Sequence, residues 1–295
     1  MRKIFTIALL CLFVAQVSGQ QFSQSLNITL SEKAFLENKG QVKDQQGSVN
    51  NEVKFLYSNG IFNLALKENS FSYELFQLVE DCGNMDEAGY KTTESDIKDF
   101  GSKIAGSTRI DVVLQGANKN VTIKATDPSG AFFNFYSSPV AVNKLEKVNA
   151  FNTITYYNIY PGIDLVFSAP DQEHNMPLHY DFIVHPGADP SKIKLQYQGD
   201  QTLMLQENGS LQLSTSIGYV QEGKPFSFQD TDKKEIASSY VVAQNTVQYL
   251  LAEYDKSKVL VIDPTLLWAS YYGGPGDEDV AKVSVDKQQR PIIAG

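Results

Sequence analysis

The chain has 295 residues and a formal net charge of −9, with 34 acidic side chains against 25 basic ones. Nucleic-acid binding depends on clustered lysine and arginine side chains that neutralise phosphates. Because basic residues are outnumbered and unclustered here, we expect no nucleic acid among the partners, and the acidic balance mainly favours solubility.

The N-terminus has the pattern of a secretory signal peptide. Arg2 and Lys3 precede an apolar run, and Val17-Ser18-Gly19 provides small residues for cleavage before Gln20. The apolar run is shorter than the roughly 20 residues that cross a bilayer. We therefore predict a signal peptide over residues 1–19, a mature chain without a transmembrane segment, and a secreted or cell-surface location. An N-terminal membrane anchor or a buried first strand is the alternative.

Cleavage would leave Cys82 as the one cysteine of the mature chain. A single thiol forms no internal disulfide, so the fold must be stabilised by its core. Acidic neighbours disfavour the thiolate, and we do not expect Cys82 to act as a nucleophile.

The first half of the chain alternates between strand patterns and one polar segment. Residues 20–32 are interpreted as a lead-in, with a short edge strand over residues 26–30. The Asn59-Gly60 turn is followed by two alternating runs, at 62–66 and 71–75. Residues 80–107 are polar, acidic and glycine-containing, which predicts a long surface loop or insertion with one short helix.

The remaining segments also have strand patterns, and the composition is rich in Phe and Tyr. Turn residues separate the runs at Tyr160-Pro161-Gly162 and at Asn208-Gly209. Strands are predicted at 110–114, 121–125, 153–157, 163–167, 179–185, 193–197, 203–205, 211–213, 239–243, 247–252 and 259–262. The aromatic residues Phe132, Phe133, Phe135 and Tyr136 are expected in the core. The pattern predicts an all-β fold, an antiparallel β-sandwich-like or barrel-like domain, and argues against α/β architectures.

A boundary is predicted at Asp263-Pro264, because proline has no N–H to donate to a strand ladder. Residues 265–295 then have the pattern of strand, glycine-rich turn, strand, turn and strand, and we expect the last strand to be unpaired.

Several motifs in this order resemble a known family. They are Glu37-Asn38-Lys39-Gly40-Gln41, Tyr160-Pro161-Gly162-Ile163-Asp164, Tyr180-Asp181-Phe182, Pro186-Gly187-Ala188-Asp189-Pro190 and Val261-Ile262-Asp263-Pro264. Together they are similar to the β-rich N-terminal domain of unknown function that precedes SBBP-type β-propeller repeats in large secreted bacterial proteins, many from the Bacteroidota. The resemblance implies a β-rich domain over residues 33–264 and carries over no catalytic residue.

The C-terminal motifs resemble the opening of one SBBP repeat. These are Tyr271-Tyr272-Gly273-Gly274, Val283-Ser284-Val285-Asp286 and Ile292-Ile293-Ala294-Gly295. Gln288-Gln289-Arg290 departs from the usual Gly-Asn turn of the repeat. Since a propeller needs several four-stranded blades to close its ring, residues 265–295 imply the start of a blade that is truncated here.

Two groups of residues have the composition of metal ligands. His179, Asp181 and His185 share one strand face, with His174 upstream. Alternate residues on a strand are about 7 Å apart, so the two outer imidazoles are too distant to share one ion, and a polar sheet face is expected instead. A second group could coordinate calcium but does not match EF-hand spacing, so we expect a solvated acidic turn at Asp277, Glu278 and Asp279.

Hydrolysis of glycans would need paired carboxylates, for which Asp164, Asp181 and Asp263 are the candidates. The sequence does not determine their separation. It contains no Gly-x-Ser-x-Gly elbow and no phosphate-binding glycine loop.

The polar run Asn38-Lys39-Gly40-Gln41 is expected to have a structural role. Amide side chains satisfy loop backbone groups, and Gly40 is suited to a positive φ. A ligand role is the alternative.

These observations predict a non-catalytic structural or binding module of a larger secreted or cell-surface protein. We predict no catalytic residue, cofactor or metal ligand, and the expected partner is an extracellular glycan, protein or envelope component. Two alternatives stay open: a carbohydrate-active hydrolase with paired Asp or Glu, and a calcium-stabilised adhesion module.

Overall fold

The computed structural model describes residues 33–44, 47–81, 101–136, 144–171, 173–174, 176–229, 234–270, 282–285 and 291–294. These residues form β-strands throughout, with one 3₁₀ turn at Pro190–Lys192. The predicted all-β, antiparallel fold is confirmed.

The strands follow one another with short connections. In chain order they are β1 Phe35–Glu37, β2 Phe55–Ser58, β3 Phe62–Leu66, β4 Ser70–Asp81, β5 Gly101–Leu114, β6 Thr122–Tyr136, β7 Lys144–Tyr160, β8 Ile163–Ser168, β9 His179–Val184, β10 Leu195–Gln198 and β11 Thr202–Leu205. The remaining strands are β12 Leu211–Thr215, β13 Gly218–Glu222, β14 Phe226–Gln229, β15 Lys234–Ile236, β16 Ser238–Ala243, β17 Thr246–Leu251, β18 Leu260–Asp263, β19 Leu266–Ser270, β20 Lys282–Val285 and β21 Pro291–Ala294.

The largest sheet has 15 strands and is nearly closed into a barrel. Its order is β15-β14-β18-β9-β8-β7-β1-β2-β3-β4-β5-β10-β17-β16, and β6 pairs with β7 outside this path. The two end strands, β15 and β16, are consecutive in the chain and are separated by Ala237. Near this junction the Ser238 hydroxyl donates to the carbonyl of Pro225 at 2.8 Å. The ends of the sheet therefore come together.

The long strand β7 links several parts of this sheet. Thr155 pairs with Val166 of β8 and with Lys124 of β6, so these two neighbours lie on opposite edges. Farther along, Phe151 pairs with Phe35 of β1. Strand β7 therefore carries β8 and β1 on one edge and the β6 hairpin on the other.

A four-stranded sheet, β11-β12-β13-β19, accompanies the barrel, and β20 pairs with β21 in a separate hairpin. Strand β19, expected to open the propeller repeat, pairs with β13. The last strand, which we predicted to be unpaired, pairs with β20 from Lys282 to Val285. A propeller blade is therefore not seen in the described residues.

The core lies inside the barrel and is aromatic. The ring of Phe71 packs against those of Tyr73, Phe167 and Tyr180, with centroids 5.3 to 5.5 Å apart. Buried side chains of the small sheet, including Leu213 and Val220, belong to the same cluster. The small sheet thus contributes side chains to the interior of the barrel. Burial of this shared apolar core provides the main favourable free energy of folding.

Most predicted strands are confirmed, including the hairpin across Asn208-Gly209, in which Leu203 pairs with Leu213. Two expectations are wrong in part. The predicted loop at 80–107 contains the paired ends of β4 and β5, because Glu80 pairs with Ser102; residues 82–100 lie outside the described residues. Among the aromatic residues expected in the core, Phe132 is 58% exposed because it lies on the outward side of the β6 hairpin.

Phe133 and Phe135 pack on a small cluster formed by Leu36, Val148 and their neighbours. The strand predicted at 26–30 and the signal peptide predicted at 1–19 lie outside the described residues. Within the described part of the chain, no helix is long and apolar enough to cross a membrane.

Candidate functional site

The outer face of β14, β18, β9 and β8 carries side chains in two rows. Alternation directs Ser227, Ile262 and Phe182 into the barrel, and their neighbours therefore point outward. Strand pairing sets the first row across the four strands as Phe228, Val261, Ile183 and Asp164. The second row is Phe226, Asp263, Asp181 and Val166.

Five of these outward side chains are apolar, and we call them the outer patch: Val166, Ile183, Phe226, Phe228 and Val261. The rings of Phe226 and Phe228 lie 5.5 Å apart with an interplanar angle of 34°. Phe226 is 41% exposed, and the other four are half-buried. None of the five belongs to the hydrophobic clusters of the described core. A solvent-facing sheet face is usually polar, so this patch calls for an explanation.

Two carboxylates lie within the second row. Ile262 pairs with Phe182, and extending that register by one residue places Asp263 opposite Asp181. Side chains at directly opposite positions have Cβ atoms about 5 Å apart. Like charges so close disfavour double ionisation. Burial and the neighbouring Asp263 carboxylate raise the pKa of Asp181 to about 7.

Asp263 is affected in the same direction. Burial raises the pKa of Asp263, while nearby His179 and a hydrogen bond from Thr265 oppose the rise. Oδ1 of Asp181 is closed off from solvent and has no hydrogen-bond partner within the described part of the chain. The fold therefore holds the carboxylates of Asp181 and Asp263 close together, and at least one of their oxygens accepts no hydrogen bond from the described residues.

His179 lies at the border of this pair. Its Nδ1 is 2.8 Å from the carbonyl oxygen of Pro177, and since a carbonyl only accepts, Nδ1 carries the proton. Nε2 then points toward Oδ2 of Asp181 at 3.9 Å, beyond hydrogen-bond distance. His179 thus lowers the pKa of both aspartates without neutralising them.

A polar groove of about 400 Å³ adjoins His179. Ser168, which pairs with His179 across β8 and β9, lines it together with Asp127 and Asn152. The amide of Asn152 donates to Asp127 at 3.2 Å. The groove therefore continues the candidate site from His179, on the side away from Phe226 and Phe228 of the outer patch.

The other two histidines considered as metal ligands each pair with a different aspartate. His185 lies beyond the end of β9, where its Nε2 is 2.8 Å from Oδ2 of Asp164. His174 is paired with Asp171 through Nδ1 at 2.6 Å. No group of three or more His, Cys, Asp or Glu side chains in the described ranges could hold a metal ion.

Of the three carboxylates considered for hydrolysis, the fold brings together Asp181 and Asp263. The third, Asp164, accepts the N–H of Asn158 at 2.6 Å and faces His185, so it closes the turn between β7 and β8. The acidic turn at 277–279 and Cys82 lie outside the described residues.

The predicted structural role of residues 38–41 is confirmed. The Asn38 amide nitrogen donates to the carbonyls of Asn50 and Val53, both at 2.8 Å, and its oxygen accepts the N–H of Gly40 at 2.9 Å. Gly40 has a φ of 112°, a conformation that suits glycine. The motif therefore fixes the loop between β1 and β2.

Sequence reasoning missed Glu222, a fully buried carboxylate on β13. Its Oε1 accepts the hydroxyls of Tyr73 and Tyr197, and its Oε2 accepts that of Tyr180, each at 2.9 Å. Burial raises the pKa of Glu222, and the three hydroxyls oppose that rise by stabilising the ionised form. Alternation with buried Val220 was the available signal, because it directs Glu222 inward.

Comparisons with known proteins concern the same region. A protein-family model described as a domain of unknown function, DUF7948, matches residues 35–265, about four fifths of the chain. No curated protein and no solved structure matches the chain. The matched range contains the whole outer patch and both aspartates.

Proposed function

The chain belongs to the DUF7948 family, and from this premise we propose that it is a non-catalytic binding module of a larger secreted or cell-surface protein. The outer patch is the surface through which it recognises a partner. The proposal includes export by a signal peptide over residues 1–19 and an SBBP-type propeller after the described domain. These two parts rest on the sequence motifs.

The observation that carries the proposal is the apolar outer patch on a barrel whose interior holds the hydrophobic core. Aromatic side chains occupy the core inside the barrel, and the proposal therefore places ligand contact on an outer surface. Val261 and Ile183, paired across β18 and β9, are apolar on the side that alternation exposes. Burying such side chains against a partner would stabilise a complex by roughly 25 cal/mol per Å² of apolar surface.

The test is a binding survey with matched variants. The full chain is applied to panels of extracellular polysaccharides and cell-surface proteins, and binders are titrated with Phe226→Ser and Val261→Ser. Val241→Ser is the control, because Val241 is an outward valine on β16 with 44% exposure. We expect the two patch variants to lose at least tenfold in affinity and the control to bind like wild type. Equal binding by all variants would refute the assignment of the patch.

A carbohydrate-active hydrolase is the second candidate, and the aspartate pair favours it. A pKa of about 7 keeps the Asp181 carboxyl partly protonated near neutral pH, as a general acid requires. The closed position of its Oδ1 argues against this role. If any polysaccharide of the panel is cleaved by wild type and not by Asp181→Asn, the module is an enzyme.

A calcium-stabilised adhesion module depends on residues 277–279. Equal melting temperatures in calcium and in EDTA would remove that alternative, since a ligand that binds the native state must raise the melting temperature.

A further inference from the structure

We propose that the outer patch docks an arginine side chain that a protein partner presents within an apolar segment. The inference rests on the proposed recognition function and specifies the chemistry of the partner. The positions of Phe226, Asp263 and Asp181 in one row carry it.

The charges of the row suit a cation. Asp181 faces Asp263 on β18, His179 on its own strand and the uncharged Val166 on β8. The basic residue of the same row, Lys124 on β6, lies over the ring of Tyr157, 5.4 Å from its centre. Among the described residues of this row, the two carboxylates therefore have no lysine or arginine partner, and an incoming cation would relieve their repulsion.

The aromatic ring in the row favours a planar cation. Phe226 pairs with Asp263 across β14 and β18, so an exposed ring is the cross-strand neighbour of the Asp263 carboxylate. A guanidinium group is planar, stacks on an aromatic face and donates in a fork to carboxylate oxygens. The ammonium group of lysine has no plane to stack. The arrangement therefore favours arginine.

Other classes of partner match this surface less well. An anionic glycan or lipid headgroup would be repelled by two aspartates. A neutral glycan would offer hydroxyls but no charge for the pair. An apolar protein segment with one arginine matches both the carboxylates and the flanking Val166, Ile183 and Val261.

The inference predicts which residues contribute. Asp263 and Oδ2 of Asp181 supply the acceptors, because Oδ1 of Asp181 is closed off from solvent. Phe226 supplies the stacking surface, and the aliphatic side chains contact the flanking residues of the partner. Binding would keep both carboxylates ionised and release the proton that the pair holds near neutral pH.

The experiment uses two blocked tripeptides, Val-Arg-Leu and Val-citrulline-Leu, titrated into the full chain. Citrulline has nearly the shape of arginine and lacks its charge. Binding is followed by the NMR resonances of the aspartate side-chain carboxyl carbons at pH 7.5. We expect the arginine peptide to bind at least about fivefold more tightly and to shift the resonances of Asp181 and Asp263.

The variants separate the contributions. Asp181→Asn and Asp263→Asn should each abolish the preference for arginine over citrulline, and Phe226→Ala should weaken arginine binding severalfold. Val241→Ser should behave like wild type. Both asparagine variants should fold, since each removes a charge repulsion.

Equal affinity for the two peptides, or an arginine preference that survives both asparagine variants, would overturn the inference. That result leaves the proposed function standing if the panel ligands still depend on Phe226 and Val261. Conversely, panel ligands that bind equally to wild type, Phe226→Ser and Val261→Ser would refute the assignment of the patch in the proposed function, whatever the two peptides show.

Discussion

The hydroxyl of Tyr180 donates to Oε2 of Glu222 at 2.9 Å, which joins strand β9 of the barrel to strand β13 of the small sheet. Tyr73 on β4 and Tyr197 on β10 donate to the other oxygen of the same carboxylate. One buried acid thereby links three barrel strands to the small sheet. Because hydrogen bonds to charged groups contribute about 1.5 to 3 kcal/mol each, this link is expected to matter for stability.

We predict that Glu222→Leu lowers the free energy of unfolding by about 3 kcal/mol or more, because three buried hydroxyls lose their acceptor. Tyr180→Phe, which removes one donor, should cost about 1 to 2 kcal/mol. Urea unfolding followed by tyrosine fluorescence measures both. Adding Tyr73→Phe, Tyr180→Phe and Tyr197→Phe to Glu222→Leu should recover part of the loss, since the three hydroxyls that lost their acceptor are then removed. A Glu222→Leu protein as stable as wild type would contradict the prediction.

The aspartate pair predicts how stability depends on pH. The pKa of Asp181 is about 7 in the folded protein and about 3.8 as its ordinary value, so the folded state binds the proton more tightly. The corresponding stability is fully present below about pH 4 and is lost as the pH rises through about 7. Burial also raises the pKa of Glu222, which adds a contribution of the same sign.

Asp181→Asn should therefore flatten the pH profile of unfolding between about pH 4 and pH 7 and stabilise the protein at pH 8 by about 1 kcal/mol or more. Denaturant titrations at five pH values would measure it. Asp200→Asn is the control, because Asp200 is an exposed aspartate in the turn between β10 and β11. If the unfolding free energy of the wild-type protein rises instead of falling between pH 4 and pH 7, and Asp181→Asn leaves that rise unchanged, the raised pKa of Asp181 is disproved.

Gly162 lies in the turn between β7 and β8 with a φ of 73°, and an added Cβ would be 2.9 Å from the Cβ of Ala188. Gly162→Ala combines backbone strain with this close contact, so we expect a loss of about 2 kcal/mol in unfolding free energy. Adding Ala188→Gly should remove the contact and leave the strain. The double variant should then be less destabilised than the sum of the single variants, as thermal unfolding would show. Simple additivity would mean that the two sites do not interact.

Asn38 satisfies four backbone groups of the loop after β1. Asn38→Ala is expected to lower the unfolding free energy by about 2 to 3 kcal/mol, because those groups lose their partners. Asn38→Asp keeps the acceptor oxygen but places a second carboxylate oxygen against the carbonyls of Asn50 and Val53, so it should destabilise at least as much as Asn38→Ala. Hydrogen exchange of the N–H groups of Gly40 and Val42 would locate the change. Unaltered exchange in Asn38→Ala would contradict this role.

Local sequence patterns determined much of the fold. Alternation over β9 indicated that Tyr180, Phe182 and Val184 face one side and that His179 and Asp181 face the other, as the structure confirms. The Asn208-Gly209 turn predicted its hairpin because those residues adopt the backbone conformations that a tight turn requires. The role of residues 38–41 followed from the hydrogen-bonding capacity of amide side chains. Each of these features depends on neighbours in the sequence.

Tertiary structure alone decided which strands became neighbours. Asp181 and Asp263 lie 82 positions apart, and they meet because β9 pairs with β18 in one register. A shift of the register between β9 and β18 by one residue would direct Asp263 into the barrel and separate it from Asp181. Glu222 likewise required tyrosines from three strands that are distant in sequence. Local alternation sets the direction of a side chain, whereas packing of the whole core sets strand partners and register. The face on which each of these residues lies could therefore be predicted from the sequence, but its partners could not.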